Sequence, residues 1–394
     1  MTLQTTATGI ARRQRIDPLG ALVTAVGAAA LLWLPFVVLK PNRILPGDAR
    51  SLVAVLPASA AIACLASLML VALVALAMSN ARVRLAAALL GVIVVAAAIA
   101  TAGNLLTPAG NRVVRVAPGS GFWVLLVAVG LMATDAITRL RPRPAARVLM
   151  LALFAAAALL ALAHGTFDHL SVMREYAVNA GRFAHEVRQH VWLALGSLAA
   201  AVIVALPLGI LCHRVPRLRG GVLGTLNVIQ TIPAIALFGI LMAPLGALAA
   251  AVPLAAQLGI RGIGAAPAVV ALFLYSLLPV VANTVAGLKR VSPAAVEAAR
   301  GMGMTSWQVL TGVELSLALP TILTGIRIVL VQNIGLVTVA ALIGGGGLGV
   351  FVFQGIGQTA IDLVLLGAIP TVALAFSAAV LLDALVETMN RARQ

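Results

Sequence analysis

Long apolar runs, separated by short polar segments, account for most of the chain. A run of about 20 apolar residues can cross the hydrocarbon core of a membrane as an α-helix. The pattern therefore predicts an all-α polytopic membrane protein with about ten transmembrane helices. The predicted spans cover residues 19–39, 52–78, 83–102, 121–138, 147–163, 191–212, 222–245, 266–288, 321–343 and 361–386.

The composition excludes both a soluble enzyme and a disordered chain. Hydrophobic residues make up 62% of the 394 residues, charged residues make up 10%, and the mean hydropathy is +1.11. A soluble globular protein carries about 25% charged residues, and disorder requires low hydrophobicity together with high charge. The two cysteines, Cys64 and Cys212, lie in apolar runs, so we expect neither a disulfide framework nor a metal site.

The chain carries a net charge of +16, and the positions of its basic residues indicate its partners and its orientation in the membrane. They lie in short loops between spans and not on one soluble face, so the chain is expected to contact membrane lipid and no nucleic acid. An inside N-terminus puts most of them on the cytoplasmic side, which predicts that both termini are cytoplasmic. Arg327, near the inner end of the ninth span, is expected to snorkel to the headgroups, and Asp383 is interpreted as a residue at a span boundary.

The chain divides into three parts by character. Residues 1–163 hold five spans rich in Ala, Leu and Val, which we interpret as accessory transmembrane helices that serve as lipid-facing packing or a scaffold. Residues 164–190 form the most polar stretch and are expected to lie outside the membrane on the extracytoplasmic side. Residues 191–394 hold nearly all the unusual features and are interpreted as the transport core.

The segment between the eighth and ninth spans, residues 289–320, carries clear helix signals. Ser292 is a typical N-cap and Pro293 suits the first position of a helix. Gly301 and Gly303 are expected to end that helix, because glycine adopts left-handed conformations without steric cost. The segment is therefore predicted to begin with one short helix and to turn at a Gly-Met-Gly elbow.

A second short helix is predicted to begin after this elbow. Thr305 is followed three residues later by Gln308, which is the spacing of a capping box. Met302, Met304 and Trp307 give the elbow an apolar surface of the kind that docks into a groove of a partner protein. An ordinary surface loop is the alternative, although a loop of this length without function is uncommon.

The same segment resembles the EAA loop of ABC-importer permeases. Glu297, Ala298 and Ala299 are followed by Gly303 at the family's spacing, and the later part of the pattern reads VELS, with serine where the family has proline. In that family the loop sits in a cleft of a separate ATP-hydrolysing subunit. The resemblance implies a type I ABC-importer permease core in the C-terminal half and assigns coupling to the ATPase to Glu297, Ala298, Ala299, Gly301, Gly303 and Trp307.

Further motifs resemble one branch of these permeases. They are QTIPA at 230–234, LYSLLP at 274–279, AARGMGM at 298–304, GIRI at 325–328 and the glycine-rich stretch at 343–349. Together they look like the permeases of importers for glycine betaine, choline, carnitine or related quaternary amines, in a long form with extra N-terminal spans. The resemblance implies a bacterial inner membrane, a separate ATPase that binds ATP and Mg²⁺, an extracytoplasmic substrate-binding protein, and a second permease copy or a paralogue.

Polar and helix-breaking residues within the predicted spans are candidates for a pathway or a gate. Amides at membrane depth are costly unless they face the interior of a bundle, prolines free carbonyls that the interior must satisfy, and glycines permit a hinge. The alternative is that such residues only hold helices together. The candidates are Asn227, Gln230, Pro233, Tyr275, Pro279, Asn283, Gln332, Asn333, Gly344 and Gly347.

The chain has no Gly-x-x-x-x-Gly-Lys-Ser/Thr phosphate loop, so we expect it to be a transport subunit that binds no cofactor itself. An ABC permease for another small zwitterion or amino acid is an alternative. A secondary carrier driven by an ion gradient is a second alternative, although such carriers usually keep ionisable residues within the membrane and no acidic residue lies clearly at its centre. A membrane scaffold that transports nothing is a third.

Overall fold

The computed structural model describes residues 17–43, 45–108, 110–111 and 113–391. Within these ranges nine helices are long and apolar enough to cross a membrane, which confirms an all-α membrane protein. The remaining predicted span, the first one in the chain, is represented by a shorter apolar helix of 16 residues. The chain termini, whose side was predicted from the positive charges, lie outside the described residues.

Contacts between residues divide the chain into two compact units. The first comprises Met1–Pro142 and Ala161–Ser171, and the second comprises Arg143–Leu160 and Val172–Gln394. The assignment of residues 1–163 to accessory spans and of 164–190 to an extracytoplasmic segment stays a prediction.

Helices dominate the first unit, with a small sheet among them. Its elements are α1 Pro18–Trp33, β1 Val37–Lys40, β2 Asp48–Arg50, α2 Leu52–Val55, α3 Ala58–Ala77, α4 Ala81–Leu106, β3 Arg115–Pro118 and α5 Ser120–Leu140. The strands are antiparallel in the order β2-β1-β3, with Val38 opposite Ala49 on one side and Ala117 on the other. The apolar pattern predicted no sheet here.

The first predicted span, residues 19–39, extends beyond the C-terminal end of the helix that forms there. Helix α1 ends at Trp33, and Leu34 is extended, with φ −106° and ψ 143°. The cause is Pro35, because the ring of a proline disfavours helical geometry in the residue before it. The apolar residues from Val37 onward therefore belong to strand β1 and not to a helix.

An ion-pair cluster joins three helices of the first unit near their ends. Asp17 caps α1 by accepting from the N–H of Leu19 at 3.1 Å. Its carboxylate also accepts from Arg84 of α4 at 2.7 Å and from Arg139 of α5 at 2.6 Å. The Arg84 side chain is fully buried, so its charge depends on Asp17 and on Asp135, which lies 3.1 Å away.

The second unit begins with helices of very unequal length. Helix α6 covers Pro144–Ala163 and α7 covers Ser171–Arg214 without interruption. At a rise of about 1.5 Å per residue, α7 is about 66 Å long, roughly twice the hydrocarbon thickness of a membrane. The polar residues from 171 to 190 therefore continue the same helix as the predicted span at 191–212.

The remaining elements of the second unit complete the predicted core. They are α8 Pro216–Thr231, α9 Ala234–Ala251, α10 Pro253–Gln257, α11 Ala265–Lys289, α12 Pro293–Gly301, α13 Ser306–Gln308, a π-helix Val309–Glu314, α14 Leu315–Ala340, a 3-10 turn Ala341–Ile343, α15 Gly349–Gly357 and α16 Ile361–Arg391. Helix α11 packs against α8, α9 and α14, and α14 packs against α16. Leu272 and Val280 of α11 are fully buried in this core.

The predicted span at 222–245 is two helices and not one. Helix α8 ends at Thr231 and α9 begins at Ala234. Ile232 and Pro233 between them are extended, with ψ values of 126° and 140°. Proline has no N–H to continue the hydrogen-bond ladder and forces the preceding residue out of helical geometry, so the break falls at this point.

Candidate functional site

The segment from 289 to 320, which we call the coupling segment, begins with helix α12 as predicted. Ser292 stands at the N-cap and Pro293 at the first helical position, but the Ser292 side chain makes no capping hydrogen bond. Helix α12 ends at Gly301, its last residue, and Met302 is the C-cap, which confirms that the helix ends at this glycine. A Cβ at Gly301 would meet nothing within 4 Å, so its conformation does not require glycine.

Gly303 makes the turn at the elbow. Its φ is +83°, in the left-handed region, and it follows the helix-capping residue Met302. The N–H of Gly303 donates to the Arg300 carbonyl at 2.9 Å, and the N–H of Met304 donates to the Ala299 carbonyl at 3.2 Å. These two bonds form a Schellman motif, which satisfies the last carbonyls of α12 and reverses the chain direction.

The capping box after the elbow is confirmed. The Thr305 hydroxyl accepts from the Gln308 N–H at 3.3 Å, while the Gln308 side chain accepts from the Thr305 N–H at 2.8 Å. The helix that begins here is not short, however. It continues through the π-helix Val309–Glu314 into α14, so one helical path of 38 residues runs from Ser306 to Ile343.

The predicted coupling residues differ in exposure. Glu297 and Ala298 are exposed, and so is Met302, with 76% of its surface accessible, and Trp307, with 70%. Ala299 is only 2% exposed. Ala299 therefore packs inside the segment, while the other four side chains form an exposed surface with one carboxylate and two large apolar groups.

Backbone carbonyls near Pro279, inside α11, and near Pro233, at the break between α8 and α9, accept hydrogen bonds from side chains of the facing helix. Pro279 has no N–H for the Tyr275 carbonyl four residues earlier, and the side chain of Gln230 donates to that carbonyl at 2.7 Å. The Tyr275 hydroxyl in turn donates to the carbonyl of Ile232, just before Pro233. The freed carbonyls expected from the sequence are thus satisfied by side chains of the facing helix.

Asn333 is a buried contact between helices. Its side chain is fully buried and donates to the hydroxyls of Ser197 on α7 at 3.1 Å and Ser276 on α11 at 3.0 Å. Asn283 likewise donates to the Pro279 carbonyl of its own helix at 2.8 Å. Asn333 therefore agrees with the alternative that these amides hold helices together, whereas Asn283 bonds only within its own helix.

Asn227 and Gln332 differ from these amides. Asn227 is exposed on α8 and Gln332 is partly buried on α14. Within the part of the chain that the structure describes, neither side chain has a hydrogen-bond partner. Of the five amide candidates, these two are the ones whose NH2 group makes no hydrogen bond among the described residues, and their role in the pathway stays a prediction.

The predicted glycine hinge lies in a loop held by α7. Gly344 and Gly347 have φ values of +79° and +83°. The N–H of Gly347 donates to a Glu186 carboxylate oxygen at 2.7 Å, and the N–H of Leu348 donates to His190 Nδ1 at 3.2 Å. Sequence reasoning missed Glu186 and His190, and the only local signal was two polar residues four apart on one helix.

Whether Arg327 snorkels to the headgroups stays a prediction, but this arginine has a partner within the protein. Arg327 of α14 forms an ion pair with Asp383 of α16. Asp383 also pairs with Arg147 of α6 at 2.6 Å, and Arg147 pairs with Glu387. Asp383 is thus a shared partner of two arginines that joins three helices, and not only a boundary residue.

Among the described residues, no group of three or more His, Cys, Asp or Glu side chains could hold a metal ion. The prediction about cofactors of this chain stays a prediction.

Comparison with known proteins covers both parts of the chain. The family model "ABC transporter permease YehY, N-terminal domain" matches residues 17–173. The model "Binding-protein-dependent transport system inner membrane component" matches residues 201–391. The second of these regions lies within the predicted permease core, and the first agrees with a long form that carries extra N-terminal spans.

Individual relatives match about half of this chain and most of their own length. The osmoprotectant import permease protein OsmW of Salmonella typhimurium is 44% identical over 191 residues, which is 48% of this chain and 84% of OsmW. The glycine betaine/carnitine/choline transport system permease protein OpuCB of Bacillus subtilis is 37% identical, over 50% of this chain and 83% of OpuCB. The carnitine transport permease protein OpuCD of Listeria monocytogenes is 38% identical, over 55% of this chain and 90% of OpuCD.

A solved structure of the methionine ABC transporter MetNI in an inward-facing conformation also aligns. It covers 52% of this chain and 95% of its own chain, with 21% identity and a TM-score of 0.46.

Proposed function

The chain belongs to the permeases of osmoprotectant ABC importers, and from this premise we propose that it carries glycine betaine or a related quaternary ammonium compound across the bacterial inner membrane, driven by a separate ATPase subunit. The observation that carries the proposal is the coupling segment. It presents an exposed carboxylate and two exposed apolar side chains around a turn that is fixed by hydrogen bonds at both ends.

The coupling segment suits docking to an ATPase because its shape is set before binding. The Schellman motif at Gly303 and the capping box at Thr305 fix the elbow from either side. Met302 and Trp307 supply apolar contact area, and Glu297 supplies a charge for a basic or N–H partner. A preorganised surface loses less conformational entropy on binding than a flexible loop does.

The same geometry supports a route from ATP hydrolysis to the membrane. The helix that begins at Ser306 continues into α14, so a displacement of the docked elbow acts directly on a helix of the core. Closure of two ATPase subunits around ATP and Mg²⁺ would draw two coupling segments together and open the pathway outward. This cycle requires a second permease copy or a paralogue, with the coupling segments on the cytoplasmic side.

Substrate selection is assigned to an extracytoplasmic binding protein. A quaternary ammonium group is recognised by a cage of aromatic faces, and aromatic residues are only 4% of this chain. The relatives whose names mention glycine betaine, carnitine and choline support this ligand class. Another small zwitterion or amino acid is the alternative that a transport assay decides.

The proposal is tested by purifying the tagged chain from its native membrane in mild detergent and identifying what accompanies it by mass spectrometry. We expect a stoichiometric ATPase subunit, and ATP-dependent uptake of radiolabelled glycine betaine when the complex and its binding protein are reconstituted in liposomes. Glu297→Arg is expected to release the ATPase. Ser292→Ala, which removes an exposed side chain without a capping bond, is the matched control.

Two outcomes would contradict the proposal. A chain that purifies alone and imports glycine betaine in response to an ion gradient would identify a secondary carrier. Full ATP-dependent uptake by the Glu297→Arg variant would show that the ATPase does not dock on the coupling segment.

A further inference from the structure

Helix α7 touches functionally different parts of the second unit at two points along its length. In its N-terminal half, Glu186 and His190 hold residues 344–348, which we call the glycine loop. At its C-terminal end, Arg214 pairs with Glu314 in the π-helix that directly precedes α14. The two contacts are 28 residues apart on one continuous helix, which contains Pro207, or about 42 Å at the rise of an α-helix.

The contact with the glycine loop is buried, and the donor and the acceptor of each of its hydrogen bonds are defined. Glu186 is 7% exposed and His190 is fully buried. His190 Nε2 lies 3.0 Å from the Ile334 carbonyl, which can only accept, so the ring proton sits on Nε2 and Nδ1 accepts from the Leu348 N–H. The neutral ring thereby bridges α14 and the glycine loop.

The loop backbone is fitted closely around these side chains. Gly346 and Gly347 have φ values of +76° and +83°. A Cβ added at Gly347 would lie 3.1 Å from His190 Nδ1, and one at Gly346 would lie 3.2 Å from a Glu186 carboxylate oxygen. A shift of α7 along its axis therefore cannot leave the loop unchanged.

The contact at the C-terminal end of α7 is made with the C-terminal part of the coupling segment, just before α14. Glu314 is the last residue of the π-helix and is only 5% exposed, so its charge needs the guanidinium of Arg214. π-helical turns are rare and are frequently found at functional sites. A rearrangement of this turn would move Glu314 and, through the ion pair, the end of α7.

We propose that α7 transmits movement of the coupling segment to the glycine loop, with Arg214, Glu186 and His190 as positioning residues for transport. The inference rests on the proposed function, because it assumes that the coupling segment moves when the ATPase closes. A displacement of α7 by about 1–2 Å, typical of helix shifts in switching proteins, would lengthen the 2.7 Å and 3.2 Å bonds to the loop. Since hydrogen bonds fail beyond about 3.5 Å, the loop would be released.

The test measures whether the two contacts of α7 are linked. The chain is placed in lipid nanodiscs, and amide hydrogen exchange is measured at Gly347 and Leu348 by mass spectrometry. Arg214→Ala is expected to speed exchange at these amides by about tenfold, the size of a typical coupling between distant sites. Arg217→Ala is the matched control, because Arg217 is an exposed arginine just beyond the end of α7.

Charge reversal keeps the test decisive if the single variant is unstable. Arg214→Glu combined with Glu314→Arg restores an ion pair and is expected to return exchange at the loop to the wild-type rate. Unchanged exchange in Arg214→Ala, or a doubly reversed variant as fast as the single one, would overturn the proposal. This readout needs neither ATPase nor substrate, so it is decided separately from the proposed function.

A second measurement links the loop to transport. In liposomes that contain the complete importer, we expect Glu186→Leu to lower the amount of glycine betaine imported per ATP hydrolysed by about tenfold. Glu186→Gln, which keeps an acceptor oxygen for the Gly347 N–H, is expected to retain the wild-type ratio. Equal loss in both variants would assign Glu186 an electrostatic role and refute its role as a positioning acceptor. Arg188→Ala, an exposed change two residues away, is the control.

Discussion

The elbow of the coupling segment gives a pair of glycine substitutions with opposite expected effects. Gly303 has a φ of +83°, and a Cβ there would meet no atom within 4 Å. The cost of Gly303→Ala is therefore conformational alone, about 1–2 kcal/mol for a left-handed L-residue. Gly301 is helical and equally open, so Gly301→Ala should stabilise α12 by about 0.5–1 kcal/mol.

Hydrogen exchange at the Met304 amide measures this difference directly, because its N–H donates to the Ala299 carbonyl across the elbow. With about 1.4 kcal/mol for each factor of ten, Gly303→Ala should exchange about 5- to 30-fold faster than the wild type. Gly301→Ala should exchange about 2- to 5-fold more slowly. Gly303→Asn should be milder than alanine, since asparagine tolerates this conformation.

The reasoning fails if Gly303→Ala leaves the Met304 amide as protected as before. It also fails if alanine at both positions speeds exchange equally, because the elbow would then require glycine for space and not for its φ. The ATPase complex should follow the same order, with weaker association for Gly303→Ala than for Gly301→Ala.

Three further predictions concern the core. Tyr275→Phe removes the hydroxyl that satisfies a carbonyl at the helix break and should lower the free energy of unfolding by about 1 kcal/mol, measured by denaturant titration in detergent. Asn333→Leu should cost about 0.6–1.7 kcal/mol and leave the rate of uptake unchanged, whereas a large loss of uptake without loss of stability would make it a pathway residue. Asp383→Asn weakens the ion pairs of two arginines at once and should lower the unfolding temperature, with the shift reduced in high salt if the cluster is reached by solvent.

The sequence could predict the features that depend on neighbours within one turn. The capping box of Thr305 and Gln308 and the helix start at Pro293 are encoded by residues three or four apart, so the pattern alone locates them. The length of α1 was predicted incorrectly because hydropathy outweighed the local effect of Pro35. The strand that follows α1 is apolar, and an apolar run does not distinguish a buried strand from a span.

Contacts between distant parts of the chain could not be predicted. The need of the Tyr275 carbonyl for a donor follows from Pro279, but the donor, Gln230, lies 45 residues earlier. The contact between Glu186 and Gly347 bridges 161 positions. Such pairs depend on how whole helices pack, which periodicity and capping signals do not encode.

The hydrogen bonds between α8 and α11 at Pro233 and Pro279 also have a consequence for how the protein enters the membrane. A helix that carries an unpaired carbonyl into hydrocarbon loses several kcal/mol. Gln230 precedes Tyr275 in the chain, so during synthesis its side chain is already in place when α11 arrives. We therefore expect α8, α9 and α11 to leave the translocon as one group, and a Gln230→Leu chain to be retained there longer than the wild type.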